Sequence, residues 1–119
     1  MSGRWQLNAS GVLVADRPFP KEIGVYAFAK DGIVLYVGLA TRGLAKRLAL
    51  YGSGHASQKT NHRLNALMRA ELVAIPSIDV YTATPPDYEW NGLPASGSAG
   101  LELGLISKYT LPWNKQGAG

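Results

Sequence analysis

The sequence predicts a small α/β protein of the α+β kind, with a sheet of three strands, two of them joined as a hairpin, and helices packed on it. Three observations predict it. Two runs rich in β-branched and aromatic residues, 23–29 and 33–38, stand on either side of Asp31-Gly32, a dipeptide that closes hairpins. Two stretches with apolar residues at helical spacing follow, and Gly52 and Pro76 end them. A last run alternates Ile78, Val80 and Thr82 on one face, as a half-buried strand does.

Taken in order, residues 1–20 alternate loosely (Trp5, Leu7; Val12, Val14) and end in Arg17-Pro18-Phe19-Pro20. They read as an arm, or one or two short strands, leading into the hairpin. A short helix is expected over 41–52 and a loop over 53–58. A longer helix fits 60–73, where Leu64, Leu67, Met68 and Leu72 share a face. The third strand is expected over 77–83. Residues 85–100 carry Pro85-Pro86, Asn91-Gly92 and Leu93-Pro94 and read as loop. A final helix over 101–109 stops before Pro112. Nothing in the 119 residues resembles a repeat or a linker, so one domain over 1–119 is expected, with an arm over 1–20 and a core over 23–114.

Register decides what the hairpin can do. A two-residue loop at Asp31-Gly32 would put Tyr26 and Tyr36 on opposite faces. A three-residue loop, Lys30 to Gly32 with Gly32 left-handed, pairs Ala29 with Ile33 and sets Tyr26 directly across from Tyr36. The second register also sorts the faces: Val25, Ala27, Ala29, Ile33, Leu35 and Val37 form an aliphatic core face, while Gly24, Tyr26, Phe28, Val34, Tyr36 and Gly38 form the other. It is therefore the expected one. The flanking glycines then leave room for something to approach the sheet. A plain aromatic cross-strand pair is the alternative.

Composition excludes several classes. With no cysteine, the chain has neither a disulfide framework nor a thiolate metal site. Its start lacks a long apolar run, so no signal peptide or membrane span is expected and the cytoplasm is the expected location. The net charge of +4 is unevenly distributed. Residues 32–70 contain no Asp or Glu but hold Arg42, Lys46, Arg47, Lys59, Arg63 and Arg69, with His55 and His62 among them. Such a block suits a phosphate backbone, or else a solvated helix surface.

Three further candidates stand at telling positions. Arg47 and Tyr51, four apart, share a helix face and could bind a phosphate or simply face solvent. Glu102 sits among Leu101, Leu103, Leu105 and Ile106, where an ionised carboxylate needs a compensating charge unless it points to water. With eight acids in the chain, Asp31 committed to a turn and Asp79 mid-strand, a carboxylate cluster for two metals is not expected. One Mg²⁺ held by a single carboxylate, waters and a substrate phosphate is chemically reasonable. Asn114, in Leu111-Pro112-Trp113-Asn114, is either a turn residue or an amide that fixes the chain end against a site.

In this order, Gly24-Val25-Tyr26, Tyr36-Val37-Gly38, Arg47 with Tyr51, Glu102, and Pro112 with Asn114 resemble the GIY-YIG nuclease family. The resemblance runs from about 23 to 114. It implies a small antiparallel sheet flanked by helices, and Mg²⁺- or Mn²⁺-dependent hydrolysis of DNA phosphodiesters, duplex or branched. By position, Tyr26 and Tyr36 line the site, Tyr26 acting as base with Tyr36 assisting. Arg47 binds the scissile phosphate, Tyr51 stands where members carry His or Tyr, Glu102 holds the metal, and Asn114 orients the site. Arg42, Lys46, Lys59 and Arg63 are the expected nucleic-acid contacts. Many members carry Lys soon after the Y-x-G; here Leu39 and Ala40 follow and Arg42 comes later. No separate recognition domain fits, so specificity is expected from loops, self-association or a partner protein. A catalytically degenerate nucleic-acid-binding module of the same fold is the alternative, whereas a purely structural protein leaves the acid-free span without a role.

Overall fold

The computed structural model describes residues 1–53 and 59–115. Apart from Ser53, the loop expected over 53–58, with His55, lies outside them. In chain order the elements are β1 (Gly3–Leu7), β2 (Leu13–Ala15), β3 (Gly24–Lys30), β4 (Ile33–Ala40), α1 (Leu44–Ser53), α2 (Lys59–Glu71), β5 (Ile78–Ala83), β6 (Tyr88–Trp90), β7 (Leu93–Ala95) and α3 (Gly97–Lys108).

The main sheet has five strands, not three, in the order β2-β1-β5-β3-β4, with every neighbouring pair antiparallel. The difference lies in the first fifteen residues. Without β1, β5 would present an open edge to water; β1 covers it, with Trp5 opposite Ile78. The β1–β2 turn is held by Asn8, whose Oδ1 accepts from the backbone N–H of Ser10 and Val12 at 2.9 and 3.0 Å, an Asx turn written in the sequence as Asn8-Ala9-Ser10-Gly11.

The central hairpin corrects the expected register. Asp31 and Gly32 both have positive φ, 52° and 77°, so the loop is the two-residue type I′ and Lys30 pairs with Ile33. Alone, that loop would turn Tyr36 away from Tyr26. A β-bulge undoes this: Ala29 pairs with Val34 but Phe28 with Tyr36, leaving Leu35 as the extra residue. Two one-residue shifts preserve parity. Tyr26 and Tyr36 thus share a face as expected, but Tyr26 lies opposite Gly38 and Tyr36 opposite Phe28. Val34 and Leu35 exchange the faces expected of them, Val34 packing with Val25 and Val37, Leu35 with the aromatic side.

Both faces of the hairpin are covered, and the larger core lies on the tyrosine side. There Tyr26, Phe28 and Tyr36 pack with Leu44, Leu48 and Tyr51 of α1, Leu64 and Met68 of α2, and Trp5. On the aliphatic side, Leu101, Leu105 and Ile106 of α3 cover Val25 and Val37. The stretch expected as loop over 85–100 instead holds β6, β7 and the first turn of α3. Ser96 caps that helix, its Oγ accepting from Ala99 N–H at 3.0 Å, which lets it start four residues earlier than its apolar pattern suggests. Among the described residues no helix is long and apolar enough to cross a membrane.

Candidate active site

The site begins with how α1 is mounted. Its first N–H groups are used inside the protein: Leu44 donates to the Glu22 carbonyl and Ala45 to that of Pro20, both at 2.7 Å. Those N–H groups are therefore not left free for a phosphate, and recognition falls to side chains. Leu44, Leu48 and Tyr51 turn one stripe of α1 into the core, each fully buried. Arg47, one turn before Tyr51, stands half-buried at the margin of that stripe.

Three tyrosines converge there. The Tyr26 ring centroid lies 6.1 Å from that of Tyr36 and 5.8 Å from that of Tyr51. The Tyr26 and Tyr51 hydroxyls share a hydrogen bond of 2.5 Å. Arg47 Nη2 donates to the Tyr51 hydroxyl at 3.1 Å, and its guanidinium carbon sits 4.8 Å from the Tyr51 ring centroid. Arg47 Nη1 donates to Asn61 Oδ1 on α2. The result is a chain from Tyr26 through Tyr51 and Arg47 to Asn61.

The glycines beside the tyrosines are explained by packing. A Cβ on Gly38 would lie 2.4 Å from the Tyr26 hydroxyl and Cζ, so the space that glycine leaves is filled by the Tyr26 ring. Gly24 meets the Ala83 carbonyl and Thr84 in the same way.

Burial dominates the electrostatics. Tyr26, 1% exposed, has its phenol pushed well above the usual value, first by burial and then by Tyr36, with Arg47 pulling the other way. Tyr51 is pushed up as well, by burial and then by Tyr26. Tyr36, 8% exposed, is buried less completely than either. The Glu102 carboxyl is also raised, by burial alone, and no hydrogen bond or ion pair holds its side chain among the described residues.

Around Arg47 the surface is a basic cleft of about 780 Å³ lined by Leu39, Thr41, Arg42, Lys46, Arg47 and Leu50. A second cleft of about 420 Å³ shares Leu39 and Thr41 with it and reaches Ser96, Ser98 and Asp87. Glu102 stands one helical turn beyond Ser98, on the Val25–Val37 side of the sheet. The expected residues thus fall into groups. Tyr26, Tyr36, Arg47 and Tyr51 are brought together on one face, with the exposed Arg42 and Lys46 at the mouth. Glu102 is on the other face and lines neither of these two clefts. Asn114 grips the free edge of that strand: its Oδ1 accepts from Val37 N–H and its Nδ2 donates to the Val37 carbonyl, both at 3.0 Å. Arg63 donates to the Trp113 carbonyl at 2.9 Å and so holds the same segment. Lys59 opens α2, and its side chain is outside the described ones.

Sequence reasoning missed Asn61. The available signal was two asparagines, Asn61 and Asn65, one turn apart inside a helix that asparagine does not favour.

In solved structures the fold has relatives. An alanine-substituted mutant of bacteriophage T4 EndoII aligns with 94% of this chain and 88% of its own, with a TM-score of 0.73 and 18% identity. The restriction endonuclease HPY188I in complex with product DNA aligns with 89% of this chain and 69% of its own, with a TM-score of 0.54 and 19% identity. The fold is therefore a GIY-YIG-like nuclease fold. No protein-family model matches the chain, and no curated protein matches it in sequence.

Proposed function

We propose that the protein is a metal-dependent endonuclease, a cytoplasmic single-domain enzyme that hydrolyses DNA phosphodiester bonds by a one-metal mechanism. The observation that carries this reading is Arg47, held by neutral partners at the wall of an acid-free basic cleft, on a nuclease fold. A fold alone does not assign chemistry; this guanidinium is what gives the site a phosphate-binding group.

Arg47 binds the scissile phosphate and stabilises the charge that grows on it as water adds to phosphorus. Arg42, Lys46 and Lys59 hold the flanking backbone, and Arg63 adds its charge while bracing Trp113. Tyr26 is the base, the proton of the attacking water reaching it through Tyr36, which is buried less completely, and Tyr51 links the Tyr26 hydroxyl to the Arg47 charge. Because burial raises Tyr26, its phenolate is scarce at neutral pH, and the cleavage rate rises as pH increases toward the alkaline range. Glu102 suits a divalent cation, since a carboxyl raised by burial and without a cationic partner gains from one. A divalent cation such as Mg²⁺ or Mn²⁺ would be held by Glu102 and would supply charge neutralisation at the phosphate. Asn114 keeps β4 in place beside the site. Specificity comes from the domain's own loops, self-association or a partner protein.

The test is cleavage of supercoiled plasmid in Mg²⁺ or Mn²⁺ together with DNA binding in Ca²⁺. Glu102→Gln abolishes cleavage and leaves binding roughly intact. Arg47→Ala slows single-turnover cleavage by about 10²-fold or more, the scale of one lost transition-state donor, and Arg47→Lys rescues poorly because it lacks the planar fork. Wild-type cleavage unaffected by Glu102→Gln removes Glu102 from the metal site. Tight binding without cleavage by the wild type favours the second reading, a degenerate DNA-binding module, which the Leu39-Ala40 pair in place of a lysine supports.

A further inference from the structure

Arg47 has no carboxylate partner among the described residues. Its guanidinium is oriented by an amide oxygen and a phenol, and both are neutral. Arg4, Arg17 and Lys30, by contrast, sit against Asp16, Asp79 and Glu71. A carboxylate would orient Arg47 equally well but would cancel the charge a phosphate needs. Asn61 supplies the geometry without that cancellation.

We propose that Asn61 is the positioning residue of the site: its side-chain oxygen fixes the plane of the Arg47 guanidinium so that the remaining N–H groups face a phosphate in the basic cleft. The proposal rests on the endonuclease reading and names what holds its central residue. Arg47 has five N–H donors. Asn61 engages one on Nη1 and Tyr51 one on Nη2, and the Tyr26 hydroxyl also hydrogen-bonds the guanidinium; the donors that remain serve a ligand. Asn61 is completely buried, so it is not a direct contact for DNA. Its placement is secured by Asn65, one turn later on the same face of α2, whose Nδ2 donates to the Tyr51 carbonyl at 2.7 Å. The two asparagines therefore bind α2 to α1 at both ends of the Arg47–Tyr51 pair. Without the Asn61 acceptor, a half-buried guanidinium N–H is left unpaired and the side chain gains by swinging out to water.

The experiment compares Asn61→Leu, Asn61→Asp, Arg47→Ala and the double variant Arg47→Ala/Asn61→Leu in single-turnover plasmid cleavage, with duplex affinity in Ca²⁺ and thermal melts alongside. Asn61→Leu slows cleavage by about 10-fold to 10²-fold, the cost of a misplaced catalytic group, while affinity changes much less. The double variant is no slower than Arg47→Ala alone, because the two residues act as one unit. Asn61→Asp folds and keeps Arg47 in place but loses rate, since its charge neutralises the guanidinium; it also carries the test if Asn61→Leu fails to fold. Multiplying losses in the double variant, or full activity in Asn61→Asp, overturn the proposal. A wild type that does not cleave overturns the endonuclease reading alone. Asn61 is then judged by the guanidinium ¹⁵N signals of Arg47, restricted in the wild type and freely rotating in Asn61→Leu. Equal mobility in the two proteins overturns the positioning role.

Discussion

The molecule contains two hairpins with almost the same turn and opposite fates. Asp31-Gly32 closes β3–β4 and Asn91-Gly92 closes β6–β7, and the backbone angles nearly coincide: φ is 52° at both first residues and 77° and 79° at the two glycines. The first hairpin is bulged, pairs with β5 and is covered on both faces. The second forms its own two-stranded sheet and leaves Tyr88, Trp90 and Leu93 exposed. Turn chemistry chooses the loop in both, so the difference comes from the flanking strands. β3 and β4 carry apolar residues on both faces and are long enough to meet a sheet on one side and helices above and below. β6 and β7 are three residues each, and such a hairpin has little stability of its own.

The comparison breaks most severely at Gly38. Gly38→Ala places a methyl group 2.4 Å from Cζ and the hydroxyl oxygen of Tyr26. The expected loss is at least about 3 kcal/mol, the upper end of overpacking costs, together with the Tyr26–Tyr51 hydrogen bond and cleavage activity. Urea unfolding and single-turnover cleavage measure both. A variant that keeps its stability would show that the Tyr26 ring can move aside, and the tight tyrosine cluster would not survive that result.

A smaller effect separates the hairpins by cooperativity. Gly32→Ala and Gly92→Ala impose the same left-handed strain, about 1–2 kcal/mol for an L-residue. In the first hairpin the strain is shared by the whole sheet and lowers global stability by about that amount. In the second it frays β6–β7 and leaves the global transition nearly unchanged. Urea midpoints and amide exchange at Tyr88 to Ala95 distinguish the two. Equal shifts in the midpoint would mean that the β6–β7 hairpin unfolds with the core.

These two turns also show what the sequence made legible. Asp31-Gly32 announced a hairpin, and the parity of Tyr26 and Tyr36 was readable from the face pattern even though the loop length was not. The bulge at Leu35 compensates for the shorter loop, and the Leu35 carbonyl accepts from Trp113 N–H at 2.8 Å, a tertiary partner that no local pattern records. Arg47 and Tyr51 could be placed together from helical spacing, and Tyr26 joined them only through the family resemblance. Asn61 could not, because its partner is fourteen residues away across a helix–helix contact. The N-terminal stretch read as an arm or one or two short strands, but not as part of the sheet; its place is decided by the open edge of β5, a property of the assembled sheet. Glu102 was legible as a carboxylate in apolar company, but the face of the sheet it occupies follows from α3 packing on Val25 and Val37.

The smallest expected effect falls on the largest exposed side chain. Trp90 is 67% exposed, whereas Trp5 and Trp113 are 2% and 8% exposed. Its cross-strand neighbour is Leu93, itself 62% exposed, so removing the indole takes away a local pair and little buried area. Trp90→Ala is therefore expected to change global stability by no more than about 0.5 kcal/mol, as at other surface sites. The same truncation at a buried tryptophan costs about 3–5 kcal/mol. Fluorescence gives a second readout in the same experiment. With three tryptophans in the chain, Trp90→Ala should remove the red-shifted, acrylamide-quenched part of the emission and leave a blue-shifted, protected remainder. A stability loss above about 2 kcal/mol, well outside the surface range, would mean that the second hairpin is buttressed by the rest of the protein, and the contrast with β3–β4 would then lie in exposure alone and not in cooperativity.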